Sequence, residues 1–274
     1  MSGCVFKYEW SKEDLGKIFS LYNNEKKSLT KIAEIFGVSR NTIGGLLKEN
    51  NLEIRGTGYY SRKYEANFNY FKKINTQQKA YWLGFIAADG CIVNGPNHNR
   101  PMILTIGLSS KDKMHLEKFL KCLESTHPII DSKDASYINI CNENFVKDIV
   151  GHNITPKKSH TIKPINLGKI FMPHFWRGVF DGDGCLHFRK SDKQWCFVLS
   201  GSLYMLQRFS CFAKNICATK ASIRYSNGTY NFKITGNKKV PVLVRKIYEN
   251  SEIHLDRKYN LYKKMLYMME NKNE

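Results

Sequence analysis

Two stretches of this chain are nearly the same: Trp82-Leu83-Gly84-Phe85-Ile86-Ala87-Ala88-Asp89-Gly90 and Trp176-Arg177-Gly178-Val179-Phe180-Asp181-Gly182-Asp183-Gly184, each running on into a Cys and an aliphatic residue. Each spacing predicts a helix that is apolar nearly all round, and therefore buried. Each helix stops at an Asp followed by a Gly suited to a left-handed C-terminal cap. The acid then sits at the negative end of the helix dipole, where a further anion costs up to about 1 kcal/mol, so a cationic partner is expected there.

Small residues recur at spacing four within each stretch, Gly84 with Ala88 and Gly178 with Gly182. Two such helices can approach more closely than the usual ~8–10 Å between axes. Their terminal carboxylates then meet, and like charges so placed are tolerated beside divalent cations, an arrangement that serves phosphodiester hydrolysis. A plain core of Gly and Ala with two turn aspartates would explain one such stretch. A second copy 94 positions later, with Gly, Asp, Gly and Cys in register, favours the paired site.

The two stretches resemble the double motif of the LAGLIDADG homing endonucleases in their single-chain, two-repeat form, over roughly residues 76–270. The resemblance implies an α+β fold of two pseudo-symmetric αββαββα repeats whose sheets saddle duplex DNA. It implies a divalent metal, Mg²⁺ or Mn²⁺, at Asp89 and Asp183 with the adjoining Gly90 and Gly184. It also implies basic residues near the attacking water, and Lys158 and Lys258, at matching late positions of the repeats, are the candidates. Ala87 stands where the family often has its first acid, which is not the metal ligand, and Arg177 stands where a small residue is common.

Charge points the same way. The chain of 274 residues holds 43 Lys and Arg against 24 Asp and Glu, a formal +19, which is the footprint of a polyanionic partner. Residues 1–60 carry nine basic and seven acidic side chains, so nearly all the excess lies beyond them. The apolar content, 42%, is enough for real cores. Eight cysteines without a Cys-x-x-Cys pair read as small, reduced core residues. No signal peptide or membrane-spanning run is seen, which places the protein in the cytoplasm or wherever its host DNA resides.

The first 55 residues predict three helices: a capping-box start at Ser11 with Leu15, Ile18, Phe19 and Tyr22 on one face, a helix from Ser28 with Leu29, Ile32, Ala33 and Phe36, and a third from Arg40 with Ile43, Leu46 and Leu47. The tight turn Gly37-Val38-Ser39 makes this a helix-turn-helix, an all-α domain over residues 1–55 whose Arg40, Asn41 and Thr42 would enter the major groove. A small helical bundle without a DNA role fits the same pattern, and Gly44 and Gly45 weaken the third helix. Residues 56–75 read as a linker. Repeat 1 then spans 76–165 and repeat 2 spans 166–274, each with the order αββαββα. Strand alternation leaves Arg100, Thr105 and Asn139 in repeat 1, and His187, Arg189, Arg224, Asn231 and Lys233 in repeat 2, on the face opposite the helices, as DNA contacts.

The expectation is therefore a site-specific double-strand DNA endonuclease, a monomer acting on duplex DNA. A catalytically inactive DNA-binding regulator on the same scaffold, or an RNA-splicing maturase, is the alternative.

Overall fold

The computed structural model describes residues 8–54, 64–95, 101–163, 165–219 and 221–271. They fall into two compact units, one within residues 1–63 and one within 64–274.

In the first unit three serines set the helix starts. Ser11, Ser28 and Ser39 each accept a hydrogen bond from a first-turn backbone N–H of α1 (Lys12–Asn23), α2 (Leu29–Phe36) and α3 (Arg40–Glu49), and Asp14 completes a capping box with Ser11. Gly37 closes α2 at φ +64°, a left-handed conformation in which glycine is unstrained. Ile18, Leu21, Tyr22, Leu29, Ile32, Ala33, Ile43, Leu46 and Leu47 form the core. Leu15, Phe19 and Phe36 are only half-buried. The α3 helix runs unbroken through Gly44 and Gly45.

The second unit begins earlier than the expected linker allows. Asn67 N–H donates to the Leu123 carbonyl at 2.8 Å, and Tyr70 and Phe71 are buried, the Phe71 ring 5.5 Å from that of Phe145. Two aromatic side chains with a place in the core make residues 64–75 part of the folded body rather than linker; residues 55–63 lie outside the described residues.

Repeat 1 comprises α4 (Gln77–Asp89), β1 (Gly90–Asn94), β2 (Pro101–Ser109), α5 (Lys113–Cys122), β3 (Ile130–Asp131), β4 (Ala135–Cys141) and α6 (Glu143–Gly151). Repeat 2 comprises α7 (Met172–Asp183), β5 (Gly184–Arg189), β6 (Gln194–Gly201), α8 (Leu203–Cys217), β7 (Ser222–Ser226), β8 (Thr229–Thr235) and α9 (Lys239–Tyr248), followed by α10 (Asp256–Glu270). The two antiparallel sheets have corresponding orders, β1-β2-β4-β3 and β5-β6-β8-β7. Each motif tryptophan packs on the phenylalanine of its own repeat's second helix, Trp82 on Phe119 at 4.8 Å and Trp176 on Phe209 at 5.0 Å. One continuous core joins the repeats.

At its centre α4 and α7 touch backbone to backbone. A Cβ on Gly84 would stand 2.0 Å from the Phe175 carbonyl oxygen, and one on Gly178 2.0 Å from that of Tyr81. The glycines at the helix ends differ from expectation. Gly90 (φ −72°) and Gly184 (φ −94°) are extended, not left-handed, because each helix passes straight into a strand. They are small for want of space: a Cβ would lie 2.6 Å from Ile86 Cγ2 at Gly90 and 2.1 Å from Phe180 Cδ2 at Gly184.

The cysteines also depart from expectation. Among the described residues all are free, and Cys91, Cys141, Cys185 and Cys211 are exposed, leaving only Cys196 fully buried. Strand alternation turns Cys91, Cys141 and Cys185 away from the core. No helix among the described residues is long and apolar enough to cross a membrane.

Gly84→Ala and Gly178→Ala should each cost about 3 kcal/mol or more, because the obstacle is backbone that side-chain repacking does not move. Gly151→Ala, with nothing within 4 Å of its Cβ, should be nearly neutral. Denaturant melts of the three variants check this; equal stability of all three would mean the helices are not in backbone contact.

Candidate active site

Asp89 ends α4 and Asp183 ends α7, so the close packing of these helices carries both acids to one place. A Cβ on Gly182 would lie 3.1 Å from Asp89 Oδ2. Burial, and next the neighbouring Asp183, push the Asp89 carboxyl up to about 6, while Lys258, Lys158 and Arg257 draw it down. Asp183 exposes more of its surface than Asp89. Desolvation still raises its pKa, against the pull of Lys158 and Lys258.

The two lysines answer the problem posed by acids at the negative ends of dipoles. Lys158 Nζ donates to the Ala88 carbonyl at 3.0 Å. Lys258 Nζ donates to the carbonyls of Phe180 and Asp181, both at 2.7 Å, Gly182 at 3.2 Å and Gly184 at 2.6 Å. Both side chains are buried, 7% and 3% exposed, so each ammonium neutralises a helix end instead of standing in solvent. Burial lowers both pKa values, Lys258 to about 8, while the surrounding aspartates oppose the shift.

The half-sites differ at the position two residues before the terminal acid. Asp181 is fully buried and accepts from Tyr81 Oη at 2.8 Å, from Tyr248 Oη, and from Leu255 N–H at 2.8 Å. Burial raises its pKa against those three hydrogen bonds. His115 extends the chain through Tyr81 Oη at 2.8 Å, and burial pushes its pKa down to about 3, so it is neutral. Its Nε2–H therefore donates to Tyr81, whose own hydroxyl proton goes to Asp181. The equivalent residue Ala87 has no polar group and lines a pocket of about 260 Å³ with Lys158, Trp176, Asp183, Leu199 and Ser200. Arg177 does not disturb the helix contact. Its guanidinium is buried against the carbonyls of Ile253, at 2.8 Å, and Ile247, at 3.1 Å, and stacks over Tyr81.

Among the described residues no group of three or more His, Cys, Asp or Glu is placed to hold a metal ion. A cation at this site would thus have two carboxylates from the protein. That fits Mg²⁺, which commonly takes one or two carboxylates and fills its remaining positions with water and substrate phosphate. The elevated carboxyl pKa values are the strain that a dication relieves. The Gly184 carbonyl is already engaged by Lys258.

Residues 76–148 match the family model described as LAGLIDADG-like domain. That match falls within the first repeat. The fold of residues 64–274 is that of solved two-repeat LAGLIDADG structures. The LAGLIDADG homing endonuclease I-GzeII, solved in complex with DNA target, superposes with a TM-score of 0.52 at 16% identity over 73% of this chain and 92% of its own. The LAGLIDADG meganuclease I-AabMI, bound to uncleaved DNA, gives 0.50 at 13% over 70% and 90%. Meganuclease I-SmaMI, bound to uncleaveable DNA, gives 0.51 at 12% over 71% and 91%. No protein of curated function matches the chain in sequence.

The remaining sequence candidates on the LAGLIDADG sheets are unequal. Arg224, Lys233 and His187 are exposed on the face away from the helices. Arg189 lies on that face but forms a two-point ion pair with Asp192, with Nε to Oδ1 at 2.8 Å. Asn231 is held on both sides, its oxygen accepting from Ser200 Oγ at 2.7 Å and its nitrogen donating to Ser226 Oγ at 3.2 Å. Asn139 accepts from Thr105 Oγ1 at 2.7 Å. Arg100 lies outside the described residues. In the first unit Arg40 and Asn41 are exposed at the start of α3, whereas Thr42 is tied to Ser39, the hydroxyls 2.8 Å apart. Sequence reasoning missed Asp181, Tyr81, Tyr248 and His115. The available signal was an ionisable residue inside a helix that is otherwise apolar on every face.

Asp89 has a folded-state pKa near 6, above its unfolded value of ~3.9. Folding therefore favours the protonated form, and stability conceded at neutral pH returns as the pH falls through about 6. Metal-free Asp89→Asn should melt above wild type at pH 7.5, and the gap should narrow as the pH falls below about 6 and close only near pH 4. A gap that is constant from pH 7.5 to 5 would show that the carboxylate is not under this strain.

Proposed function

We propose that this chain is a divalent-metal-dependent endonuclease of double-stranded DNA, in which one molecule supplies both half-sites. The observation that carries the reading is the pair of carboxylates at the ends of two helices in backbone contact, bracketed by buried lysines. Such a cluster is costly to maintain and has no structural use in itself, since each helix would end more stably on a neutral residue. The net charge of +19 gives it a polyanionic substrate, and exposed cations on the open sheet face lie in the same folded unit. I-GzeII, which shares the fold, was solved in complex with DNA target.

On this reading Asp89 and Asp183 hold the metal, which when bound supplies Lewis acidity at the scissile phosphate. The protein's own part is electrostatic. Lys258, with its pKa near 8, stays largely protonated at neutral pH. Lys158 and Lys258 are fixed by the helix ends, so they place positive charge near both acids without reorganising as negative charge develops on the phosphoryl group. Neither lysine is free to wander, since each is buried and hydrogen-bonded.

The first unit is proposed as a helix-turn-helix reader that adds contacts through Arg40 and Asn41, at the exposed N-terminal turn of α3. Joined to the second unit by one chain, it would raise affinity through effective concentration.

Asp89→Asn and Asp183→Asn should each abolish double-strand cleavage in Mg²⁺ while duplex binding persists, because each change removes a ligand but little core contact. Normal cutting by either variant would sink the assignment, and binding without cutting by the wild type would favour the regulator. Residues 64–274 alone should still cut, with a shorter footprint than the full chain. An unchanged footprint would remove the first unit from DNA reading.

A further inference from the structure

The open faces of the two sheets are chemically unlike. In the first, register places Cys91, Thr105 and Asn139 in one row across β1, β2 and β4, and Val93, Ile103 and Cys141 in the next. A third row holds Ile130, Tyr137 and Gly107. These residues alternate with the buried Ile92, Leu104, Ile106, Ile138 and Ile140, so they share the face turned away from the core. Among the described residues of these strands, none on that face is charged, and Val93 and Ile130 are 43% and 38% exposed.

The second sheet repeats the topology with other chemistry. His187 lies on the open face of β5, and Arg224 and Lys233 lie on that of β7 and β8 in adjacent rows, opposite Asn231 and Ser222 respectively. The charge of the whole repeats follows. Residues 166–274 hold 19 Lys and Arg against 8 Asp and Glu, a net of +11; residues 76–165 hold 11 against 8, a net of +3.

We propose that the two halves of the DNA target are read by different chemistry: repeat 2 selects guanine through Arg224, Lys233 and His187, and repeat 1 selects thymine through an apolar face. The inference rests on the endonuclease reading and specifies its substrate. In the major groove, guanine offers two acceptors, N7 and O6, to a cationic donor, whereas thymine alone offers a methyl group to an apolar side chain. Val93, Ile103 and Ile130 match the methyl. The carboxamide oxygen of Asn139 already accepts from Thr105, which competes with the two-point contact that asparagine makes with adenine. Its remaining N–H groups suit a single acceptor such as thymine O4. On repeat 2, Arg189 and Asn231 add little because Asp192 and Ser200 occupy them, which leaves discrimination to Arg224, Lys233 and the Nε2 of His187, whose Nδ1 lies 3.6 Å from Cys185 Sγ.

The test is selection of binding sites from a pool of randomised duplex DNA by the full-length protein without divalent metal, repeated with an Arg224→Ala/Lys233→Ala double variant and with Val93→Ser. Wild type should return a site with one guanine-rich half and one half rich in A·T pairs. The double variant should lose guanine preference by about tenfold or more at positions in the first half only, with the other half unchanged. Val93→Ser should relax thymine preference in the A·T half only. Two halves of like composition would overturn the inference, as would a double variant that weakens binding evenly across all sequences, the signature of phosphate contacts. Cleavage of duplex DNA by wild type in Mg²⁺ alongside such a result would leave the endonuclease reading standing. Failure of wild type to bind or cut any duplex would remove both.

Discussion

Everything in the larger unit depends on one contact, the meeting of α4 and α7 at Gly84 and Gly178. Main-chain carbonyls of one helix occupy the space where the other would carry a Cβ. That approach fixes the separation of the two repeats and joins their helices and sheets around one core. It also brings two helix C-termini together, which is electrostatically unfavourable before any acid is added.

The site answers that strain in two ways. Neutralisation comes from Lys158 and Lys258, which reach back from late in each repeat to the carbonyls at the helix ends. Anchoring comes from the Asp181 network, present in one half only, where two tyrosines and the Leu255 amide surround a buried acid. Ala87, its counterpart in the other motif, instead lines a pocket. Lys258 Nζ has four carbonyl oxygens within hydrogen-bonding distance in the anchored half, sharing its three N–H donors among them, whereas among the described residues Lys158 Nζ donates to that of Ala88 in the other, so the halves share a plan but not its details.

Asymmetry therefore runs from the motif helices out to the sheets. A single chain with two diverged repeats is free to change one half without the other, and this chain has done so in its anchoring acid, its net charge and the side chains of its open faces.

The sequence by itself determined the doubled αββαββα order, the burial of both motif helices and the placing of Asp89 and Asp183 at their ends. All of these are set by local periodicity and by repetition. Strand alternation likewise marked Arg224, Lys233 and His187 as outward residues. Tertiary structure alone decided what those residues touch. It made Gly90 and Gly184 necessary for space and not for φ, and it put Tyr70 and Phe71 into the core where a linker was expected. It occupied Asn231 with Ser200 and Ser226, and gave Asp181 partners from α4, α9 and the turn before α10. The physical reason is range. Helix and strand periods are properties of neighbours in sequence, whereas a buried acid or a committed amide is defined by groups some 30 to 100 positions away, which only the folded chain brings within hydrogen-bonding distance.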